Sequence, residues 1–186
     1  MNHHPILVHA EERMKKAVEA TRHELATIRT GKATPALLDT VKVEAYGTTV
    51  PLQQVGSVSA PEARLLVVQP YDRSLVKAIS RAIQMAELGL NPTDDGSVIR
   101  VPIPSLTEER RRDMVKLVSK LAEEGRVHVR QVRHDAQHEL KGKEKAHEIS
   151  QDDAHRLGQD LQKLTDRYVS TIDELLKKKT AEVMEV

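Results

Sequence analysis

Ser105–Leu140 reads SLTEERRRDMVKLVSKLAEEGRVHVRQVRHDAQHEL, and its apolar residues decide the fold. Val115, Val118, Ala122, Gly125, Val129, Val132, Ala136 and Leu140 recur at three- and four-residue steps, the spacing of one stripe on a long amphipathic helix. Ser105 with Glu108, behind Pro104, fits a capping box that starts it. KGKEKAHEIS then breaks the pattern as a turn. Ser150 with Asp153 reads as a second start, and Leu157, Leu161, Leu164, Tyr168, Ile172 and Leu175 carry a second stripe toward the C-terminus. Upstream, Met14, Val18, Thr21, Leu25 and Ile28 form a third stripe over residues 10–30, stopped by Gly31 and Pro35. A stripe must be covered by another element. Three such helices therefore imply a three-helix bundle from residues 1–30 and 105–186.

The intervening segment, 31–104, has a different texture and holds seven of the eight prolines. TVKVEAYGTTV alternates Val41, Val43 and Ala45 before a turn at Tyr46–Gly47, RLLVVQ is an apolar run of strand length, and SVIRVPIP reads as a final strand. Between Asp72 and Gly89, the residues Leu75, Ile79, Ala82, Ile83 and Ala86 mark one amphipathic helix, and NPTDDG is a turn cluster. The fold class is thus α+β: a long bundle with a small domain of short strands around one helix, inserted between helices one and two. Connections near 31 and 105 would act as a hinge.

Composition narrows the chemistry. The 186 residues lack Cys, Trp and Phe and contain three Tyr, so the core is aliphatic and thiol chemistry is excluded. Few aromatic platforms remain for stacking a single-stranded nucleic acid. No apolar run approaches the roughly 20 residues of a membrane span, and the three-residue run Ile6–Val8 is too short for a secretory signal. A soluble cytoplasmic protein is expected. Net charge is only +1, but 105–145 holds eleven basic and eight acidic residues while 146–186 holds six and nine. Local patterning is the signal.

On a helical wheel with Val129 at zero, Arg112, Arg126, Arg130 and Arg133 fall between about 40° and 100°, beside the seam. Lys116 lies farther round, and Asp113, Glu124, Asp135 and Glu139 occupy the other flank. Two readings compete. The arginines could cover the seam and pair with acids of neighbouring helices, or their rigid bidentate forks could hold phosphates. Periodicity leaves these evenly balanced.

Other motifs point nowhere specific. TGKATP at residues 30–35 has the end of a phosphate loop but no upstream glycine and no preceding strand. His134 and His138 lie one turn apart without a third ligand at metal spacing. His3 and His4 sit on an end expected to fray. No carboxylate pair or serine elbow suggests catalysis, and no metal or cofactor is expected.

The chain resembles the bacterial ribosome recycling factors. The resemblance rests on IRTGKATPALLDTVKVEAYG (28–47), LVVQPYDRSLVKAISRAI (66–83), LGLNPTDDGSVIRVPIPSLTEERRRDMVK (88–116), EEGRVHVRQVRHDA (123–136) and ISQDDAHRLGQDLQKLTD (149–166). It implies an L-shaped, monomeric, non-enzymatic factor that binds the post-termination ribosome. With elongation factor G, which hydrolyses GTP, such a factor promotes subunit dissociation and release of mRNA and tRNA. It further implies that large-subunit rRNA is held by Arg110, Arg111, Arg130 and Arg133, with Arg29 beside a hinge at Gly31, Lys32, Pro104 and Ser105. Arg126 joins this set from the strip. The chain departs from the family's common pattern at Lys32 and His134, where arginine is usual, and at Ala45, where an aromatic is usual. A helical adaptor or another RNA-binding translation factor is the alternative, and intrinsic turnover by the isolated chain would instead mark an enzyme.

Overall fold

The computed structural model describes residues 4–185, which divide into two compact units. One comprises residues 1–29 with 108–186, the other Thr30–Thr107.

The first unit holds three long helices. α1 spans Pro5–Ala26, earlier at both ends than the 10–30 that its stripe predicts. It starts early because Pro5 occupies the first turn, where its missing N–H costs nothing, and because the ring of His4 accepts a hydrogen bond from the Ile6 amide at 3.3 Å. His4 is therefore a cap rather than part of a frayed end; His3 lies outside the described residues. The helix stops early because the Thr27 hydroxyl and amide both donate to the Glu24 carbonyl, at 2.6 and 3.1 Å, a tightened last turn. Ile28 is buried nonetheless, reaching the core from beyond the helix.

α3 spans Glu108–Lys145. Ser105 does not cap it: residues 105–107 lie outside the helix. The break expected at KGKEK also falls later. The helix runs on to Lys145 and closes with His147 in the left-handed region, at φ 56°. There the His147 amide donates to the Glu144 carbonyl and the Glu148 amide to the Lys143 carbonyl, the paired bonds of a Schellman end. A 3.0 Å ion pair between Lys143 and Glu148 spans the same turn. α4 spans Gln151–Met184 and begins as the sequence predicts, with the Ser150 hydroxyl accepting from the Asp153 amide at 3.0 Å.

The three seams meet as expected. Met14, Val18, Ala122, Val129, Leu157, Leu161 and Ile172 belong to one buried cluster, and Leu25, Ile28, Val118 and Val183 to a second, smaller one. Gly125 faces Thr21 of α1 and Ile172 of α4. A Cβ added there would lie 2.2 Å from Thr21 Oγ1 and 3.2 Å from a methyl of Ile172. Glycine normally costs a helix interior about 1 kcal/mol relative to alanine; here it is what lets α1 pack against α3.

The second unit is a small α+β body. β1 (Lys42–Ala45) pairs antiparallel with β2 (Thr48–Pro51) through a two-residue turn whose members, Tyr46 and Gly47, both have positive φ, the geometry that matches strand twist in a hairpin. A separate four-stranded antiparallel sheet has the order β3-β4-β6-β5, with β3 at Gly56–Glu62, β4 at Leu65–Pro70, β5 at Thr93–Asp94 and β6 at Ile99–Pro102. The sequence reading finds β1, β4 and β6 but assigns neither β3 nor β5. GSVSAPE carries a proline, exposed side chains and a register shift between Ser59 and Glu62, so only its partner defines it. NPTDDG is not wholly turn either, since Thr93 and Asp94 pair with β6. The helix predicted between Asp72 and Gly89 is a 3₁₀ turn, Arg73–Leu75, followed by α2 at Val76–Met85. Leu38, Val43, Leu52, Leu66, Val68, Ile79, Ile83, Ile99 and Val101 form the unit's single aliphatic core.

Candidate RNA-binding surface

The α3 arginines are not equivalent, and their partners rank them. Arg126 reaches Glu123 one turn back at 2.7 Å and Asp173 of α4 at 2.7 Å, with its side chain only 17% exposed. Two carboxylates thus saturate its fork, and seating a phosphate there means breaking both pairs. Arg130 shares Glu123 at 3.3 Å and is 47% exposed. Its guanidinium and that of Arg126 hold the Glu123 carboxyl below the usual range, with Arg126 the larger cause. Among the described residues Arg133 meets no carboxylate; its guanidinium donates to the Gln162 amide oxygen at 3.3 Å, and Gln162 donates onward to Asp166 at 2.8 Å. A neutral acceptor orients Arg133 without cancelling its charge, leaving other donors for an anion.

Of the two readings that periodicity leaves balanced, pairing therefore describes Arg126, while Arg133 keeps the chemistry that phosphate binding requires. Of the N-terminal arginines of α3, Arg110 is exposed and Arg111 half-buried, and Arg112 pairs with Glu108. Arg29 ends the first unit and Thr30 begins the second. The expected pivots Gly31, Lys32, Pro104 and Ser105 all lie within the second unit. Gly31 has φ 77°, and a Cβ there would lie 3.5 Å from the Leu106 side chain, so the two chain crossings run close together. His134 and His138 are exposed, and no cluster of metal-ligating groups occurs among the described residues. Nor is any helix there long and apolar enough to cross a membrane.

Other polar contacts fix α1 against its neighbours. Arg13 pairs with Asp135 of α3 at 2.9 Å, and the Tyr168 hydroxyl donates to Glu11 at 2.8 Å. Burial and the Glu11 carboxylate push the Tyr168 phenol up to about 12. The sequence reading allows the strip to pair with acids of neighbouring helices but singles out neither Asp173 nor Gln162, which lie far along the chain. It also overlooked the cations of α2, because 31–104 is neutral overall; the signal there is a local run without acids, residues 73–86.

A helical bundle with a graded row of arginines along α3, interrupted by an α+β insertion, has the charge pattern of a binding protein rather than the pocket of an enzyme. Comparison with known proteins makes the class specific. The family model for ribosome recycling factor matches residues 21–184. Ribosome-recycling factors of Rubrobacter xylanophilus and Symbiobacterium thermophilum are 58% and 54% identical, the first over 95% of both chains, the second over 97% of this chain and 98% of the relative. A solution structure of the ribosome recycling factor superposes with a TM-score of 0.75 at 47% identity, covering 98% of this chain and 97% of that one. A second structure describes the T. thermophilus factor with E. coli elongation factor G bound to the E. coli post-termination complex. It has a TM-score of 0.64 and 43% identity, and covers 97% and 98% of the two chains. This chain belongs to the ribosome recycling factor family, whose members are non-enzymatic translation factors.

Proposed function

We propose that this chain acts as a monomer in the cytoplasm, binds the post-termination ribosome and, with elongation factor G and GTP, promotes subunit dissociation and release of mRNA and tRNA. The bundle holds large-subunit rRNA through Arg130 and Arg133, with Arg110, Arg111 and Arg29 extending the contact and Arg126 bracing the strip from within. The observation that carries this reading is the graded pairing: the arginine farthest along the strip is oriented by an amide instead of neutralised by an acid. Side chains on a helix cannot readily enter the deep, narrow major groove of A-form RNA, so the contact reads phosphate and shape and weakens steeply with salt. The α+β unit serves as lever and as contact for the translocase, turning about Gly31, Lys32, Pro104 and Ser105, and its motion disrupts the contacts between subunits.

Co-sedimentation with large subunits tests the assignment. Arg133→Ala is expected to melt like the parent yet bind at least about tenfold more weakly, the value of one charge-assisted contact. Arg126→Ala should instead lower the melting temperature. Unchanged binding for Arg133→Ala together with a lower melting temperature would make the strip structural and sink the reading.

A further inference from the structure

The strongest unexplained feature lies on the α+β unit. Arg73, Lys77 and Arg81 are all exposed, and among the described residues none of them has an ion-pair or side-chain hydrogen-bond partner. They follow one another at four-residue steps through the 3₁₀ turn and α2. Lys77 and Arg81 are thus about 6 Å apart along the helix, opposite the face that buries Val76, Ile79 and Ile83. No aspartate or glutamate occurs from Arg73 to Ala86. The acid just before the row, Asp72, is already engaged, accepting from the Tyr46 hydroxyl at 2.5 Å and from the Ser74 amide at 2.9 Å.

That bond has a second effect: it ties the β1–β2 turn to the start of the row. Tyr46 is 75% exposed and Tyr71, next to Asp72, is 72% exposed, whereas Tyr168 is buried. A chain without Trp or Phe therefore places both of its exposed aromatic rings at one end of its one unpaired cationic row on this unit. An acidic protein surface would account for the cations alone. Evenly stepped cations running into aromatic faces match a nucleic acid strand, in which each nucleotide adds one phosphate and bases stack on rings.

We propose that the exposed face of α2, with Arg73, Lys77, Arg81 and the rings of Tyr71 and Tyr46, binds single-stranded RNA. Phosphates lie along the cations and an unpaired base stacks at the tyrosine end. This is a second RNA surface, on the unit assigned above to lever and translocase contact, and it does not depend on where the bundle binds.

Fluorescence anisotropy of the full-length protein with a labelled single-stranded uridine dodecamer, alongside a twelve-base-pair RNA duplex, tests it. The triple variant R73A/K77A/R81A is expected to melt like the parent, lose at least about tenfold in single-strand affinity, and flatten the log affinity against log salt slope by about two. Tyr71→Ala should weaken single-strand binding at least about fivefold with the salt slope unchanged. Arg133→Ala, on the bundle, should leave it unaltered. Single-strand binding that survives the triple variant, or that falls with Arg133→Ala instead, overturns the proposal without touching the bundle assignment. A photo-crosslinking residue, Tyr71→p-benzoylphenylalanine, on post-termination ribosomes then identifies the source. Crosslinks to mRNA or to rRNA each support the surface and name its strand; crosslinks to protein alone make it a protein-docking site and refute it.

Discussion

The two units solve the problem of an aliphatic core in opposite ways. The α+β unit gathers its buried residues into one cluster. The bundle spreads its own along the helices in two clusters, joined by ion pairs and a tyrosine bond between neighbouring helices. A compact nucleus shares the effect of a lesion among all its elements, whereas a rod confines it to the adjoining turns. The bundle thus tolerates a charged strip along its flank, because no single pair there holds the unit together.

The largest effect that distinguishes them should come from Ile79→Ala at the centre of the compact core. Ile79 is fully buried, and truncation is expected to cost about 3 kcal/mol. Hydrogen exchange should show β1, β4, β6 and α2 losing protection together. Protection lost only in α2 would deny the unit its single nucleus.

In the bundle, Gly125→Ala is the sharper probe than a cavity. Its Cβ would overlap Thr21 Oγ1, so a net loss of about 2 kcal/mol is expected despite the better helix propensity of alanine. Thr21→Ala in the same chain should recover part of it, since the overlap is with that side chain. Additive losses measured by denaturant titration would place the strain elsewhere.

The smallest effect concerns Arg13 and Asp135. Hydrogen bonds from Arg13 and then from Gln131 hold the Asp135 carboxyl below its ordinary value. A depressed carboxylate stabilises the fold above the ordinary carboxylate range, and this is lost as pH falls through the lowered value. Arg13→Ala should therefore lower the melting temperature slightly at pH 7. Below about pH 4 the difference from the parent should shrink. A gap that persists at low pH would mean that Arg13 acts through packing.

How much was legible in the sequence divides along the same line. Each bundle seam is written in its own three- and four-residue period, so Val118 through Leu140 are buried as that period predicts. The ends were harder. His4 and Thr27 set the limits of α1 through local capping hydrogen bonds, which leave no trace in periodicity. β3 escaped notice because its order comes from β4, not from its own residues. The arginine strip could be read from azimuth alone. Which arginine is neutralised could not, because Asp173 is brought to Arg126 only by the packing of α4 on α3.

The closeness of Gly31 to Leu106 has a consequence for assembly. α1 must find α3 across the whole insertion, residues 30–107, and joining the ends of a floppy segment of that length is entropically expensive. Once the insertion folds, those ends already meet. The effective loop then shrinks to a few residues, which saves about 2–3 kcal/mol of closure entropy. The small unit is in this sense a clasp: once folded, it holds together the two chain ends that lead to α1 and α3.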